Sequence, residues 1–193
     1  LPVIIPAAAI SVMWRYIYTP EYGLINQFLR AIGLEELCRA WTADPDTALG
    51  AVIVTNTWRY AGFTMVLYYV AMLDIPKDVL ESAQIDGANR WQTLWRVTIP
   101  NVMPSITICM FLSLTNGFKL FDQNLALTGG RPFLQQADGS VVKTTEMLAL
   151  NIVNSNTSNS KGPGQAKAVV FFILVAIISI AQLVSTRKKE VDQ

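Results

Sequence analysis

Two apolar segments of this sequence contain polar side chains that could do chemistry. Asn56-Thr-Trp-Arg-Tyr60 lies inside the apolar segment 47–73, and Asn116-Gly-Phe-Lys-Leu-Phe-Asp122 lies near the end of the segment 102–121. Amides and charges at membrane depth are costly, so they usually face a bundle interior or a cavity. Aromatic rings beside amide and cationic donors suit a sugar, because rings stack on its C–H faces while the donors reach its hydroxyls.

The two clusters therefore supply candidate contacts to a polar substrate. These are Asn56, Trp58, Arg59, Tyr60, Asn116 and Lys119. Structural alternatives stay open for some of them. Lys119 and Asp122 have the spacing of an ion pair on one helix face, and Trp58 and Arg59 suit anchors at a membrane interface.

Covalent chemistry and nucleotide hydrolysis have little support in the sequence. It has no histidine, which excludes His-dependent triads and HExxH zinc sites, and we predict no catalytic residue and no metal site. The Gly129-Gly130 and Gly162-Pro-Gly164 strings lack the Lys-Ser/Thr ending of a phosphate-binding loop. The carboxylate pairs Glu35-Glu36 and Asp44/Asp46 suit a solvated loop.

The composition indicates a membrane protein. Of 193 residues, 52% are hydrophobic and 15% are charged, whereas soluble domains carry about 25% charged residues. A formal net charge of +1 gives no clustered cations for nucleic acid. Cys38 and Cys109 form no CxxC pair, and we interpret them as small buried hydrophobic residues.

Four apolar segments are candidate spans, since a helix needs about 20 residues to cross the hydrocarbon core. They cover about 1–18, 47–73, 102–121 and 166–186. The sequence thus predicts one all-α polytopic membrane domain. The first segment lacks Met, a charged start and a cleavage site, so we interpret it as the cut end of a larger protein with earlier spans missing, rather than a signal peptide.

The basic residues predict the orientation of these spans. Arg187-Lys-Lys189 follows the last span and places the C-terminus in the cytoplasm by the positive-inside rule. Four alternating spans then place the segment 74–100 inside and the segments 19–46 and 122–165 outside. The segment 122–165 contains a predicted turn at Thr128-Gly-Gly-Arg-Pro132 and an Asn/Ser-rich stretch at 154–161, and we expect a solvated loop with little regular structure.

The segment 74–100 carries the strongest pattern. Pro76 suits the first turn of a helix, and Asp78 followed by Glu81 resembles a capping box. Gly87 permits a turn, and a second apolar stripe follows it. We expect a helix, a glycine hinge and a second helix on the inner membrane face, with a Trp-anchored interfacial helix as the alternative.

The same segment resembles the EAA loop of permease subunits in binding-protein-dependent ABC importers. That pattern is EAA, three residues, Gly, nine residues and I-x-L-P; here Glu81-Ser-Ala83, Gly87 and Val97-Thr-Ile-Pro100 have the same spacing. Gly23-Leu-Ile-Asn26 and Leu127-Thr-Gly-Gly-Arg-Pro132 further resemble the carbohydrate-uptake branch. These motifs resemble the first permease subunit of maltose-type and glycerol-phosphate-type systems more than they resemble its partner subunit.

The resemblance implies a type I importer permease core in a bacterial or archaeal cell membrane. The residues implied to couple to an ATPase are Glu81, Ser82, Ala83, Asp86, Gly87, Ala88 and Pro100. Implied partners are two ATP-binding subunits that hold ATP and Mg, a second permease, an external solute-binding protein and a sugar. A non-sugar solute remains the nearest alternative; an ion-coupled transporter has less support because the span centres lack acidic residues.

Overall fold

The computed structural model describes residues 1–157 and 161–191. The regular secondary structure of these residues is helical except for one β-hairpin. The helices are α1 (Ala7–Ile17), α2 (Leu24–Ala31), α3 (Pro45–Leu73), α4 (Lys77–Ile85), α5 (Arg90–Thr93), α6 (Ile99–Asn101), α7 (Met103–Phe118), α8 (Asp122–Leu127), α9 (Leu148–Thr157) and α10 (Lys161–Val191). Short 3-10 turns cover Pro2–Ile4 and Glu35–Leu37, and a π-helical turn covers Leu94–Thr98. The strands β1 (Phe133–Gln135) and β2 (Val141–Lys143) pair antiparallel, with Leu134 opposite Val142.

The chain divides into two compact units. The first unit comprises residues 1–61 and 118–171, and its core forms where α1 packs on α8. Ile10, Trp14 and Tyr18 recur every four residues and present one apolar face, which belongs to a buried cluster with Val52 of α3 and Leu127 of α8. The buried phenol of Tyr18 donates to the carbonyl oxygen of Ala51 at 2.9 Å.

The second unit comprises residues 62–117 and 172–193. It contains the segment 74–100 and a sharp change of direction after it. The helical segment Arg90–Asn101 meets α7 at a bend of 67°. α6 ends at Asn101 and α7 begins at Met103, and the backbone N–H of Val102 between them bonds to Thr98 O at 3.1 Å.

The four predicted spans all fall on helices, yet one helix alone meets both the length and the composition of a span within the described residues. It is Gly162–Val184 of α10. α7 has 16 residues and qualifies only together with the bent segment before it. α1 has 11 residues, and α3 has 29 but is interrupted by polar side chains. The side chains of 187–189, on which the predicted orientation depends, lie outside those that the structure describes.

The expectation of little regular structure in the segment 122–165 is wrong. This segment contains α8, the β1–β2 hairpin, α9 and the start of α10. Its many Thr and Asn side chains bond to backbone groups within the segment, as Asn124 Nδ2 does to Thr145 O at 2.7 Å. Such bonds order a polar segment that lacks an apolar pattern. The Asn/Ser-rich part is helical as far as Thr157, and residues 158–160 lie outside the described chain.

Candidate coupling loop and substrate pathway

The segment 74–100, here named the coupling loop, begins with α4. Pro76 is at its N-cap position and no side chain caps this end, so the predicted Asp78–Glu81 capping box is wrong. The helix begins at Lys77, two residues before the start that Asp78 at the N-cap would give, because proline fixes a φ angle suited to a helix start. Asp78 therefore lies inside the first turn, where its carboxylate still complements the helix dipole.

Gly87 ends α4 through a specific hydrogen-bonded turn. Its φ angle is +76°, a left-handed conformation that favours glycine. The Gly87 N–H donates to Gln84 O at 3.0 Å, and the Ala88 N–H donates to Ala83 O at 3.0 Å. This pair of bonds is a Schellman motif, which satisfies carbonyl groups at the helix end. The predicted glycine hinge between two helices is confirmed.

A capping box opens the second helix of the coupling loop. Asn89 Oδ1 accepts from the Gln92 N–H at 2.9 Å, and Gln92 Oε1 accepts from the Asn89 N–H at 2.8 Å. The sequence reasoning missed it, although Asn followed by Gln three residues later is the spacing that signals such a box. The helix then passes through the π-helical turn and continues beyond Pro100.

The surface of the coupling loop exposes its motif side chains. Glu81, Ser82, Asp86 and Gly87 are exposed, whereas Ala83, Ala88 and Pro100 are half-buried. Large apolar side chains are exposed beside them, with Ile85 at 85% and Trp91 at 71%. A Cβ added at Gly87 would meet no atom within 4 Å. Apolar exposure on this scale, beside a free carboxylate, suits a protein contact or a membrane surface.

The predicted substrate residues of α3 lie together in the first unit. The Trp58 ring meets the Trp14 ring edge-on with centroids 5.6 Å apart, and the Arg59 guanidinium lies 5.2 Å from the Tyr60 ring centroid. Asn56 Oδ1 and Arg59 Nε are buried and have no hydrogen-bond partner. Because buried polar atoms are normally paired, these two atoms could accept and donate hydrogen bonds to a polar ligand.

The remaining predicted contacts, Asn116 and Lys119, are both exposed. Asn116 lies near the end of α7 in the second unit, and Lys119 follows α7 in the first unit. The alternative ion pair between Lys119 and Asp122 is not formed. Over the described residues the ion pairs are Arg39–Asp44 at 3.6 Å and Lys143–Glu146 at 2.9 Å.

Two further polar groups of the first unit were missed by the sequence reasoning. Gln123 of α8 is fully buried, and neither its amide nitrogen nor its amide oxygen has a partner. The indole nitrogen of Trp14 is also buried and unpaired. Gln123 forms part of the segment that faces α1, where Ser11 Oγ donates to its backbone carbonyl at 3.3 Å. The adjacent amides Gln123-Asn124, which directly follow the second polar cluster, were the available signal.

Asn26 organises the segment 20–41. It is 1% exposed, and its amide nitrogen donates to Pro20 O at 3.1 Å and Arg39 O at 2.9 Å. Its amide oxygen accepts from Trp41 Nε1 at 2.8 Å and from the Arg39 N–H at 3.4 Å. This set fills the bonding capacity of one primary amide. Asn26 therefore holds together the two ends of the segment 20–41.

The motif at residues 127–132 is closed by threonine side chains. The hydroxyls of Thr128 and Thr145 lie 2.7 Å apart, and Thr145 Oγ1 donates to Arg131 O at 2.6 Å. Gly129 and Gly130 have φ angles of +62° and +87°, so they provide the predicted turn. The residues of this motif and Asn26 thus serve the fold of their own segments.

Glu146 joins the hairpin to α9. Its carboxylate accepts from Lys143 Nζ at 2.9 Å, from Asn151 Nδ2 at 2.8 Å and from Asn154 Nδ2. Burial by itself raises the pKa of this carboxyl, but the three donors together outweigh burial and lower its pKa below the ordinary value. The carboxylate is therefore the stable form in the folded chain.

Comparison with known families gives one clear match. The model of the family described as binding-protein-dependent transport system inner membrane component matches residues 1–191. Among curated relatives, the probable starch degradation products transport system permease protein of Thermoanaerobacterium thermosulfurigenes is 34% identical over 193 residues, which is 100% of this chain and 62% of that protein. The multiple sugar-binding transport system permease protein of Streptococcus mutans is 30% identical over 191 residues, which is 98% of this chain and 62% of that protein.

Comparison with solved structures gives the same fold. A bacterial ABC transporter for import of the acidic polysaccharide alginate matches with a TM-score of 0.80 at 23% identity, over 97% of this chain and 62% of that chain. The alginate transporter in complex with a periplasmic protein bound to an alginate pentasaccharide matches with a TM-score of 0.73 at 24% identity, over 96% of this chain and 60% of that chain. The chain therefore spans about three fifths of the length of the proteins it resembles.

Proposed function

Because the chain belongs to the family of binding-protein-dependent transport system inner membrane components, we propose that it forms part of the permease of an ATP-driven importer for sugars or oligosaccharides. The sugar-transport names of its relatives support this substrate class. The observation that carries the mechanism is the coupling loop, whose backbone bonds are satisfied locally while its motif side chains remain exposed.

In this proposal the chain has no catalytic role of its own. Two ATP-binding subunits hold ATP and Mg, a second permease subunit completes the pathway, and an external binding protein delivers the solute. We assign the chain to the first of the two permease subunits, because its motifs resemble that subunit more than they resemble its partner. The membrane contains the four predicted segments, with the coupling loop and the C-terminus on the cytoplasmic side and the segments 19–46 and 122–165 outside.

The coupling loop transmits closure of the ATPase subunits to the membrane helices. Its exposed Ile85 and Trp91 side chains supply apolar contact area, and Glu81 accepts charge-assisted hydrogen bonds from the ATPase. A rigid element is required, because a compliant loop would absorb the displacement. The Schellman motif and the capping box provide that rigidity. Transport is then a shift between inward-facing and outward-facing states.

Substrate contact is assigned to the polar clusters of the spans. Asn56, Trp58, Arg59 and Tyr60 form the stronger candidate group, because Asn56 and Arg59 retain unpaired buried atoms. Asn116 and Lys119 are weaker members, since both are exposed and no ligand-directed contact distinguishes them. A non-sugar solute would use the same pathway and is the nearest competing function.

The test uses the full-length protein purified with its native partners in nanodiscs. ATP hydrolysis and uptake are measured with the binding protein and with maltose, maltotriose and trehalose in turn. Recovery of a second permease and an ATPase, with hydrolysis stimulated by one of these sugars, is the expected result. An intact complex that no sugar stimulates, but an amino acid or a phosphate ester does, would replace the substrate class. Ion-coupled uptake without any ATPase would overturn the proposal.

Residue roles are tested in the same assay. Arg59→Ala is expected to raise the sugar concentration needed for half-maximal uptake by roughly tenfold, since one hydrogen bond to a charged group contributes about 1.5 kcal/mol or more. Asn56→Ala is expected to raise it by roughly fivefold, since a neutral hydrogen bond contributes about 1 kcal/mol. Thr57→Ala is the matched control, because Thr57 is exposed on the same helix turn. Equal effects of all three variants would remove the α3 cluster from the pathway.

A further inference from the structure

α2 has an inverted distribution of polar and apolar side chains. Leu24, Phe28 and Ile32 recur every four residues on one face and are 64%, 65% and 51% exposed. The fully polar Asn26 is buried on the opposite side, where it bonds to the segment 20–41. A helix that buries its amide and exposes its leucine and phenylalanine has its apolar face directed at something other than its own chain.

The contacts of α2 fix its position at the end of α1. A Cβ at Gly23, which precedes α2, would collide with the carbonyl oxygens of Ile17 and Thr19, so only glycine permits the chain to turn there. Arg30 donates to Glu21 O at 2.8 Å and to Pro20 O at 3.1 Å. α2 therefore lies directly against the C-terminal end of α1, at the depth where α1 ends.

The charges near the apolar stripe are compatible with lipid. Between residues 22 and 32 the one ionisable charge is Arg30, and its guanidinium is directed at backbone carbonyls. Tyr16 and Tyr22 are exposed beside the junction of α1 and α2. Tyrosine is enriched at membrane–water interfaces, where its ring is in the apolar layer and its hydroxyl in the polar layer.

We propose that α2 is an interfacial helix whose stripe Leu24, Phe28 and Ile32 inserts into the outer leaflet of the bilayer. The occupant of this face is lipid, because the stripe is held at the end of a helix that the permease places in the membrane. This inference rests on the proposed function for the membrane position of α1. In the assembled importer, α2 fixes the depth of α1, since an apolar face at the headgroup boundary resists displacement in either direction.

The experiment measures accessibility of spin labels in the full-length permease, assembled with its partners in nanodiscs of phosphatidylcholine and phosphatidylglycerol. In a Cys38→Ser/Cys109→Ala background, single cysteines replace Phe28, Leu24 or Ile32. Gln27→Cys is the control on the same helix, because Gln27 is exposed beside the stripe. Val170→Cys on α10 is the reference for the membrane, since Val170 is exposed on the candidate span.

The expected result is a ratio of oxygen to nickel-chelate collision rates several-fold higher at residue 28 than at residue 27, approaching that at residue 170. A label at 28 open to the nickel chelate would overturn the inference, as would a label closed to both reagents, which would mean a protein covers the stripe. If the label at residue 170 is exposed to lipid in either of those cases, the proposed permease function still stands. If the label at residue 170 is exposed to water and the label at residue 28 is exposed to lipid, the interfacial helix is supported and the membrane arrangement proposed above is overturned.

Discussion

The segment 19–46 and the coupling loop use their motif residues in opposite ways. In the segment 19–46, Gly23 and Asn26 are buried and fully engaged by their own chain. In the coupling loop, Glu81 and Gly87 are exposed, and space for a side chain at Gly87 is open. A motif residue whose capacity is filled internally maintains the fold, whereas one whose capacity is unfilled is available to a partner.

The largest expected effect is a loss of transport in Gly87→Trp. The φ angle of +76° makes any side chain strained by about 1–2 kcal/mol, but a Cβ at this exposed position meets no atom within 4 Å. The indole therefore obstructs the ATPase contact rather than the chain itself. We expect sugar uptake to fall by at least about tenfold, equivalent to roughly 1.4 kcal/mol, while the complex retains most of its thermal stability.

Gly139→Trp is the matched control for that substitution. Gly139 has a φ angle of +83° and equally open surroundings, but it lies in the hairpin turn. Both variants should therefore show similar changes in melting temperature, and only Gly87→Trp should uncouple ATP hydrolysis from uptake. Normal uptake by Gly87→Trp would contradict a partner-facing role for Gly87.

The second effect concerns stability rather than coupling. Asn26→Ala removes the partner of the Trp41 indole and of the Arg39 backbone. Because each buried group left unsatisfied costs about 1–3 kcal/mol, we expect about 3 kcal/mol of destabilisation. The midpoint of thermal unfolding in detergent measures it, with Gln27→Ala as the exposed control on α2. Unchanged stability together with lost transport would reverse the comparison between the two segments.

A smaller effect is expected for Glu81→Gln. The substitution keeps size and exposure but removes the charge, so a charge-assisted bond to the ATPase becomes an ordinary one and loses about 1 kcal/mol. ATPase stimulation by substrate should fall several-fold with no change in melting temperature. Asp78→Asn, one turn earlier on α4 and also exposed, is the control and should retain stimulation.

The smallest effect is a pH dependence at Glu146. Its folded-state pKa is lowered, so its contribution to stability is present above the unfolded pKa and is lost as pH falls through the folded pKa. Below about pH 4.3 we expect hydrogen-exchange protection of β2 and α9 to decline, after correction for intrinsic rates. Glu146→Gln should remove this dependence; an identical decline in both proteins would assign it to other carboxylates.

Part of this architecture was predictable because it is encoded locally. The helix, glycine turn and second helix of the coupling loop follow from Pro76, Gly87 and the apolar spacing. The four apolar segments are all helical, and the turn at Gly129-Gly130 formed as expected. These features depend on residues a few positions apart, which a sequence pattern displays directly.

The rest depends on contacts between residues that are distant in sequence. The order in the segment 122–165 comes from Asn124 and Thr128 meeting Thr145, about 20 positions later. The side-chain amide of Gln123 is buried without a hydrogen-bond partner because α8 packs on α1, which the local sequence does not reveal. The start of α4 was misplaced by two residues because Pro76 and Asp78 compete for the N-cap position, and no pattern ranks them.

The Schellman turn and the Asn89–Gln92 capping box fix the conformation of the segment 76–93 without contacts to distant residues. The hydrogen bonds that fix these two features join residues at most five positions apart. A segment of this kind carries its conformation into a new host chain, whereas the segment around Asn26 would need its distant partners to move with it. Exchange of the segment 76–93 for that of another permease is therefore expected to leave the conformation of both turns unchanged.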